Sequence, residues 1–241
     1  MSANDNKTAP RRAYKYYDLV MAAFVTVLIC SNLIGPAKSS HIALPIFGDV
    51  DFGAGVLFFP ISYIFGDILT EVYGYARARK VIWTGFGALI FAAIMSAVIV
   101  ALPPAKDWPN QHVYEIAFGN TWRVAMASMT AYFCGEFVNS FVLAKLKVAT
   151  NGKMWWLRFV GSTVCGEAVD SSIFYPLAFL GAGIMPDELV MKLTVVQFAT
   201  KTLVEIVFLP LTYWVVAALK KAEQEDYYDR TTDFNPLKFT T

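Results

Sequence analysis

Two short stretches of the chain repeat one pattern of small and acidic residues. Cys134-Gly135-Glu136-Phe137-Val138-Asn139-Ser140 and Cys165-Gly166-Glu167-Ala168-Val169-Asp170-Ser171 agree at five of seven positions, and a sixth pairs Asn with Asp. In each stretch the acid and the next polar residue are three apart, which puts them on one face of a helix. Both stretches lie inside long apolar runs. There an ionisable side chain costs about 2.5–3.5 kcal/mol on insertion scales and is by default a functional hypothesis. Four polar side chains aimed at one spot form a site for a polar solute. The plainer alternative is interhelical polar packing, which is common in membranes.

More charge is placed where charge is expensive. Asp67 and Glu71 are one helical turn apart on the same face. They either pair with Arg77 and Arg79 at a helix end or belong to the same polar centre. Gln197, Lys201 and Glu205 follow at intervals of four and form a stripe. Lys201 and Glu205 make a self-neutralising pair, or Lys201 balances the acids of the two repeats. Aromatic residues such as Tyr63, Tyr132, Phe133, Phe137, Phe174 and Tyr175 accompany the acids, mostly as packing. Tyr63, four residues before Asp67, is placed to stack on a flat ring.

Six apolar segments must position these groups: Tyr16–Gly35, Gly53–Tyr75, Lys80–Leu102, Thr121–Leu146, Trp156–Leu180 and Leu189–Leu219. Each is long enough to supply the roughly 20 residues a helix needs to cross a bilayer. They are too long and too continuously apolar for barrel strands. The expected fold is therefore all-α: a polytopic bundle of six transmembrane helices. Residues 1–15 form an N-terminal segment, 16–219 the transmembrane domain and 220–241 a C-terminal tail.

Lys and Arg set the orientation. Lys7, Arg11, Arg12 and Lys15, then Arg77, Arg79 and Lys80, then Lys145, Lys147, Lys153 and Arg158, then Lys220, Lys221, Arg230 and Lys238 all fall on one side. The other side has Lys38, Lys106 and Lys192, with Arg123 at its border. Both termini are thus expected in the cytoplasm. Between the first two spans, Ile42–Asp49 reads as a short hairpin or re-entrant piece. After Pro103-Pro104, the spacing of Val113, Ile116 and Ala117 predicts one or two helical turns lying on the surface. The tail from Glu223 is polar, and no structure is expected of it. Small-residue ladders, Ala88–Ala92–Ser96 and Ala93–Ala97–Ala101, suit close helix packing and make a homodimer plausible.

Composition narrows the function. The chain is 56% hydrophobic and 16% charged with a formal net charge of +1, which argues against nucleic-acid binding. Three cysteines inside apolar runs give neither a disulfide framework nor a zinc site. His41 and His112 are isolated in connections. No P-loop, dinucleotide fingerprint, histidine metal motif or nucleophile elbow is present. No catalytic residue, metal or cofactor is expected, and the chain reads as a transporter rather than an enzyme.

Several of these residues also carry a resemblance. Asn32-Leu33-Ile34-Gly35-Pro36, the run Phe59-Pro60-Ile61-Ser62-Tyr63-Ile64-Phe65-Gly66-Asp67-Ile68-Leu69-Thr70-Glu71-Val72-Tyr73-Gly74, and Ala76-Arg77 resemble the queuosine precursor transporter family, also called vitamin uptake transporter-like. Arg123 with Ala127-Ser128, Arg158 with Ser162-Thr163, Asp170-Ser171 with Phe174, and Lys201 match as well. Glu136 and Glu167 stand where many members carry other polar residues. The resemblance implies a six-helix importer in the cytoplasmic (inner) membrane for 7-cyano- and 7-aminomethyl-7-deazaguanine. It also implies kinship with substrate-binding subunits of energy-coupling-factor vitamin transporters, the alternative to a stand-alone secondary carrier. A 7-deazaguanine base shows two parallel N–H donors on one edge, which a carboxylate accepts together. Glu136 or Glu167 would take that edge, Asn139 or Gln197 the ring carbonyl, and Asp170 an aminomethyl cation.

Overall fold

The computed structural model describes residues 13–34, 39–44, 48–53, 58–119, 122–183 and 186–238. Six long helices dominate: α1 (Tyr17–Leu33), α2 (Phe59–Tyr73), α3 (Tyr75–Ala101), α5 (Trp122–Ala149), α6 (Trp155–Phe179) and α7 (Asp187–Glu223). A short α4 (Gln111–Phe118) lies between α3 and α5. Strands β1 (Ser39–Leu44) and β2 (Gly48–Gly53) pair antiparallel as a hairpin between α1 and α2. The hairpin expected around Ile42–Asp49 is therefore formed, although its turn, Pro45 to Phe47, lies outside the described residues. So do residues 1–12 of the N-terminal segment and Gly35-Pro36.

The second apolar segment differs from expectation at its start. Gly53 ends β2, and the helix begins only at Phe59, with Pro60 in its first turn. Proline fits there because its missing N–H has no intrahelical partner to lose. The third helix begins at Tyr75 rather than Lys80, so Arg77, Arg79 and Lys80 ride on its first turns. A single residue, Gly74, joins α2 to α3 with φ +85°, a backbone state that other residues adopt only with strain. A Cβ there would also lie 2.2 Å from the Tyr227 ring.

Among the described residues, α3 and α7 are long and apolar enough to cross a membrane by length and composition alone. α1 is apolar but has 17 residues, and α2 has 15. α5 and α6, with 28 and 25 residues, are long enough but carry the acidic repeats in their centres. α7, with 37 residues, continues past Leu219 to Glu223.

The distribution of polarity is reversed relative to a water-soluble core. Phe91, Ile94, Val98, Leu203, Val207 and Trp214 are exposed, while Glu71, Glu136, Asn139 and Glu167 have no exposed surface. α2 sits centrally and touches α1, α3, α5 and α7. Its apolar side, Ile68, Leu69, Val72 and Tyr73, joins Phe24 and Leu28 of α1 and Tyr132 of α5 in the main apolar cluster. Its other side carries Ser62, Tyr63, Asp67, Thr70 and Glu71, all buried. On α4, Val113 and Ile116 point outward, as expected of a surface helix. At the opposite end from the α5–α6 turn, Arg123 donates to the carbonyls of Leu177 and Leu180, tying the start of α5 to the end of α6.

Candidate functional site

The two sequence repeats meet face to face. α5 and α6 are antiparallel neighbours joined by a turn through Asn151 and Gly152, both with positive φ. They approach through the glycine of each repeat. A Cβ on Gly135 would lie 3.0 Å from the Gly166 carbonyl oxygen, and a Cβ on Gly166 would lie 3.0 Å from that of Gly135. The residue after each glycine is a glutamate, so Glu136 and Glu167 stand at the same level.

That level is the middle of four helices. Asp67 lies one residue past the centre of α2, Glu136 and Glu167 are at the centres of α5 and α6, and Glu205 is at the centre of α7. Lys201 lies one turn earlier on α7. Its ammonium group pairs with Asp170 and lies 3.3 Å from Glu167 Oε2. Lys201 thus does balance the acids of α6. The amide nitrogen of Asn139 donates to Asp67 Oδ1 at 2.8 Å, and Thr70 donates to Ser140 at 2.9 Å, which ties α2 to α5.

Much of this centre is unsatisfied. Among the described residues, both carboxyl oxygens of Glu136, the hydroxyls of Tyr63, Tyr132 and Ser171, and the side-chain carbonyl of Asn139 are buried without a hydrogen-bond partner. Glu167 has the nearby Lys201 charge but no well-aligned hydrogen bond. Buried polar groups are nearly always paired, so such a concentration of orphans marks a place built to meet something else. Tyr63 and Tyr132 stand edge to face, with centroids 6.4 Å apart, beside these acids.

Of the residues singled out by sequence, Asp67, Glu136, Asn139, Glu167, Asp170, Lys201 and Tyr63 are brought together. Gln197 is half-buried, one turn further along α7, and makes no side-chain hydrogen bond among the described residues. Tyr132 and Ser171 belong to the centre too. Their signal was positional: Tyr132 lies one turn before Glu136, and Ser171 follows Asp170.

A second charged cluster closes the end of the bundle where α5 turns into α6. Glu71 receives a two-pronged bond from Arg158, 2.9 Å at each carboxyl oxygen, and a further bond from Lys220 at 2.5 Å. Lys147 donates to the Glu71 backbone carbonyl at 2.6 Å. Glu71 is therefore a helix-end ion-pair residue, but its arginine is Arg158 across the bundle, not Arg77 or Arg79. Asp226 in the tail bridges Lys147 and Lys220, at 2.7 and 2.6 Å. Burial opposes its charge, but the two ammonium groups outweigh that and hold its carboxyl below the ordinary value. Burial pulls Lys147 below the usual lysine value, whereas at Lys220 the facing Glu71 and Asp226 overcome burial and raise it.

The tail, of which no structure was expected, is strapped over this end. Asp229 accepts from the Tyr75 backbone N–H at the start of α3. Arg79 donates to the carbonyls of Asp233 and Asn235, and Trp83 donates to that of Pro236. Phe234 packs on Tyr75 and lies under the Lys145 ammonium at 4.0 Å. At the end of α7, Glu223 accepts from the backbone N–H groups of Lys15 and Tyr16 and from the Tyr73 hydroxyl.

Comparison with known proteins gives a consistent picture. A family model described as a putative vitamin uptake transporter matches residues 53–215. A probable queuosine precursor transporter of Bacillus subtilis (strain 168) is 30% identical over 148 residues, 61% of this chain and 64% of the relative. The queuosine precursor transporter of Escherichia coli (strain K12) is 29% identical over 168 residues, 67% of this chain and 71% of that protein. A probable queuosine precursor transporter of Haemophilus influenzae is 27% identical over 126 residues, 52% of this chain and 51% of that protein. No solved structure matches.

Proposed function

Since the chain belongs to the putative vitamin uptake transporter family, we propose that it is a six-span carrier importing 7-deazaguanine precursors of queuosine across the cytoplasmic membrane. The observation that carries this reading is the buried polar centre shared by α2, α5, α6 and α7, wrapped in exposed apolar side chains. A site at the middle of the bundle, between two related helices, is how many secondary transporters hold a solute that must be reached from either side. The names of the relatives support the substrate class.

The two candidate glutamates differ in their surroundings. Glu167 stands 3.3 Å from the Lys201 ammonium, whereas Glu136 faces the acids Asp67, Glu167 and Asp170. A carboxylate accepts two parallel N–H donors with charge assistance. Glu167 therefore takes the guanine-like edge of the base. Gln197, one turn from Lys201, donates to the ring carbonyl. Tyr63 and Tyr132 offer ring faces and free hydroxyls. Asp170 exchanges Lys201 for the ammonium of an aminomethyl substrate. Asn139 holds Asp67 with one of its two amide N–H donors, and its second N–H and its unpartnered oxygen remain for the base.

Both ends face the cytoplasm in this reading. The end that carries Lys147, Arg158, Lys220 and the tail is the cytoplasmic one, following the excess of Lys and Arg. The carrier works alone. The test is uptake of radiolabelled 7-cyano-7-deazaguanine by cells that lack precursor synthesis, their own transporter and coupling-factor proteins, but express this chain. Uptake competed by 7-aminomethyl-7-deazaguanine is expected, and its loss in Glu167→Gln. Uptake only when a coupling ATPase is supplied would favour the binding-subunit alternative. No uptake with membrane expression confirmed would remove the deazaguanine reading.

A further inference from the structure

We propose that Glu136 is a proton-binding site, and that import is coupled to a proton carried on this carboxyl. This rests on the reading of the chain as a secondary carrier. Glu136 has no exposed surface, and neither of its oxygens has a hydrogen-bond partner among the described residues. Its Oε1 is pressed onto the α2 backbone: a Cβ on Gly66 would fall only 1.7 Å from it. No other residue of the centre combines these three features. Asp67 is held by Asn139, and Asp170 and Glu167 have Lys201.

The ionisable groups facing Glu136 are almost all acids. Asp67 and Tyr63 approach from α2, Tyr132 from its own helix, and Glu167 and Asp170 from α6. From α7, Glu205 faces Glu167, and the Lys201 cation is committed to the α6 pair. A carboxylate with no donor, no cation and several like charges around it is not stable in a dry interior. The packed arrangement of α2 against α5 therefore requires Glu136 to be neutral. A proton rather than a metal cation supplies this: the contact with Gly66 crowds Oε1, and among the described residues no group of three or more His, Cys, Asp or Glu side chains is arranged to hold a metal ion. When the centre opens to water, the same carboxyl is hydrated and releases its proton. Proton binding thereby permits the closure that carries the solute across, and proton release on the far side follows reopening. The step transfers one proton between water and a carboxylate oxygen and needs no other reactant.

The experiment uses the purified full chain in proteoliposomes with labelled 7-cyano-7-deazaguanine inside an imposed gradient. Uptake is expected to rise several-fold when the outside is made acidic at zero membrane potential, and not when a sodium gradient replaces the proton gradient. Glu136→Gln is expected to lose the response to the pH gradient. Infrared spectroscopy of the same protein at neutral pH is expected to show the carbonyl stretch of a protonated, unbonded carboxyl that disappears in Glu136→Gln. Deazaguanine uptake that ignores the pH gradient, or follows sodium, would overturn the proton coupling while leaving the substrate reading intact. Should no deazaguanine be carried, the infrared band alone decides whether Glu136 holds a proton, and its absence overturns the assignment.

Discussion

Gly135 and Gly166 meet backbone to backbone, each where the other leaves no room for a methyl group. A Cβ on Gly135 would also lie 2.6 Å from the Tyr63 hydroxyl and 2.9 Å from the Asp170 Cβ. Gly135→Ala must therefore push α6 and α2 away together. Overpacking of this kind costs about 1–3 kcal/mol. The expected outcome is a protein that still reaches the membrane, melts lower in detergent and has lost most of its uptake. Wild-type uptake by Gly135→Ala would show that this close approach is not needed for the site.

Lys201 faces two carboxyls of α6 at once, so its removal leaves buried acid without its cation. Truncating one partner of a buried pair destabilises by about 3–5 kcal/mol. Lys201→Met should express poorly, and the double variant Lys201→Met with Asp170→Asn should recover expression without recovering uptake. The check is membrane yield and thermal stability of the single and double variants side by side. Equal stability of Lys201→Met and wild type would mean that α6 and α7 are held together by other contacts.

Arg158 reaches both oxygens of Glu71 with a planar fork that lysine cannot reproduce. Arg158→Lys keeps the charge and loses the geometry. Uptake should fall by about tenfold, which corresponds to roughly 1.4 kcal/mol at the transition that opens this end. Glu71→Gln, which leaves Arg158, Lys147 and Lys220 gathered around a neutral side chain with Asp226 bridging the two lysines, should be worse. Uptake by Arg158→Lys that matched wild type would show that charge alone closes the bundle end.

The tail latch has a defined pH behaviour. Asp226 has its carboxyl value lowered below the ordinary 3.8 by Lys147 and Lys220. For an acid whose folded value is depressed, the stabilisation is complete above the ordinary value and lost as pH falls through the folded one. The share of the latch that Asp226 supplies should therefore hold unchanged across neutral and mildly acidic pH, and Asp229, raised by burial, does not lose stabilisation as pH falls. Limited proteolysis of the tail at a series of pH values reads this directly. Release already under mildly acidic conditions would contradict it, whereas Asp226→Asn should loosen the tail at every pH.

Asp229 closes the N-terminal end of α3 by accepting from the Tyr75 N–H, which has no partner within its own helix. Removal of a side-chain cap costs about 1 kcal/mol. Asp229→Ala should speed hydrogen exchange at the Tyr75 amide by about fivefold, with little change in the centre of α3. Unchanged exchange there would mean that the tail only rests on this surface.

Much of the fold was legible because long apolar runs favour helices, and each of the six expected segments corresponds to a helix, although by length and composition two of them, α3 and α7, are clear candidates to cross a membrane among the described residues. The paired repeat also foretold the partnership of α5 and α6, because identical small residues at matched depth permit close approach. The start of α2 was misjudged because Ala54, Val56, Leu57 and Phe58, which precede the helix start at Phe59, are as apolar as a span. The direct joint at Gly74 was hidden because the arginines beyond it read as a loop, although helices carry charge on protruding turns. The Arg158 partnership of Glu71 was unreadable, since the nearer arginines in sequence are engaged elsewhere, Arg77 over the Tyr14 and Tyr227 rings and Arg79 on the carbonyls of the tail. The tail misled most. Its polar residues suggested disorder, but Tyr227, Tyr228 and Phe234 anchor it. Each matches a space that only the assembled helices create: over Gly74, over Gly152, and between Tyr75 and Phe141.

The bonds from Glu223 to the backbone at Lys15 and Tyr16 sew the last helix to the first. These partners lie more than 200 residues apart in sequence, so the contact ties together segments that nothing local would join. Without residues 220–236, Glu71 lacks the Lys220 ammonium and the start of α1 loses the carboxylate that accepts from its backbone. The same short segment thus works as a clamp on three helix ends at once, those of α1, α2 and α7.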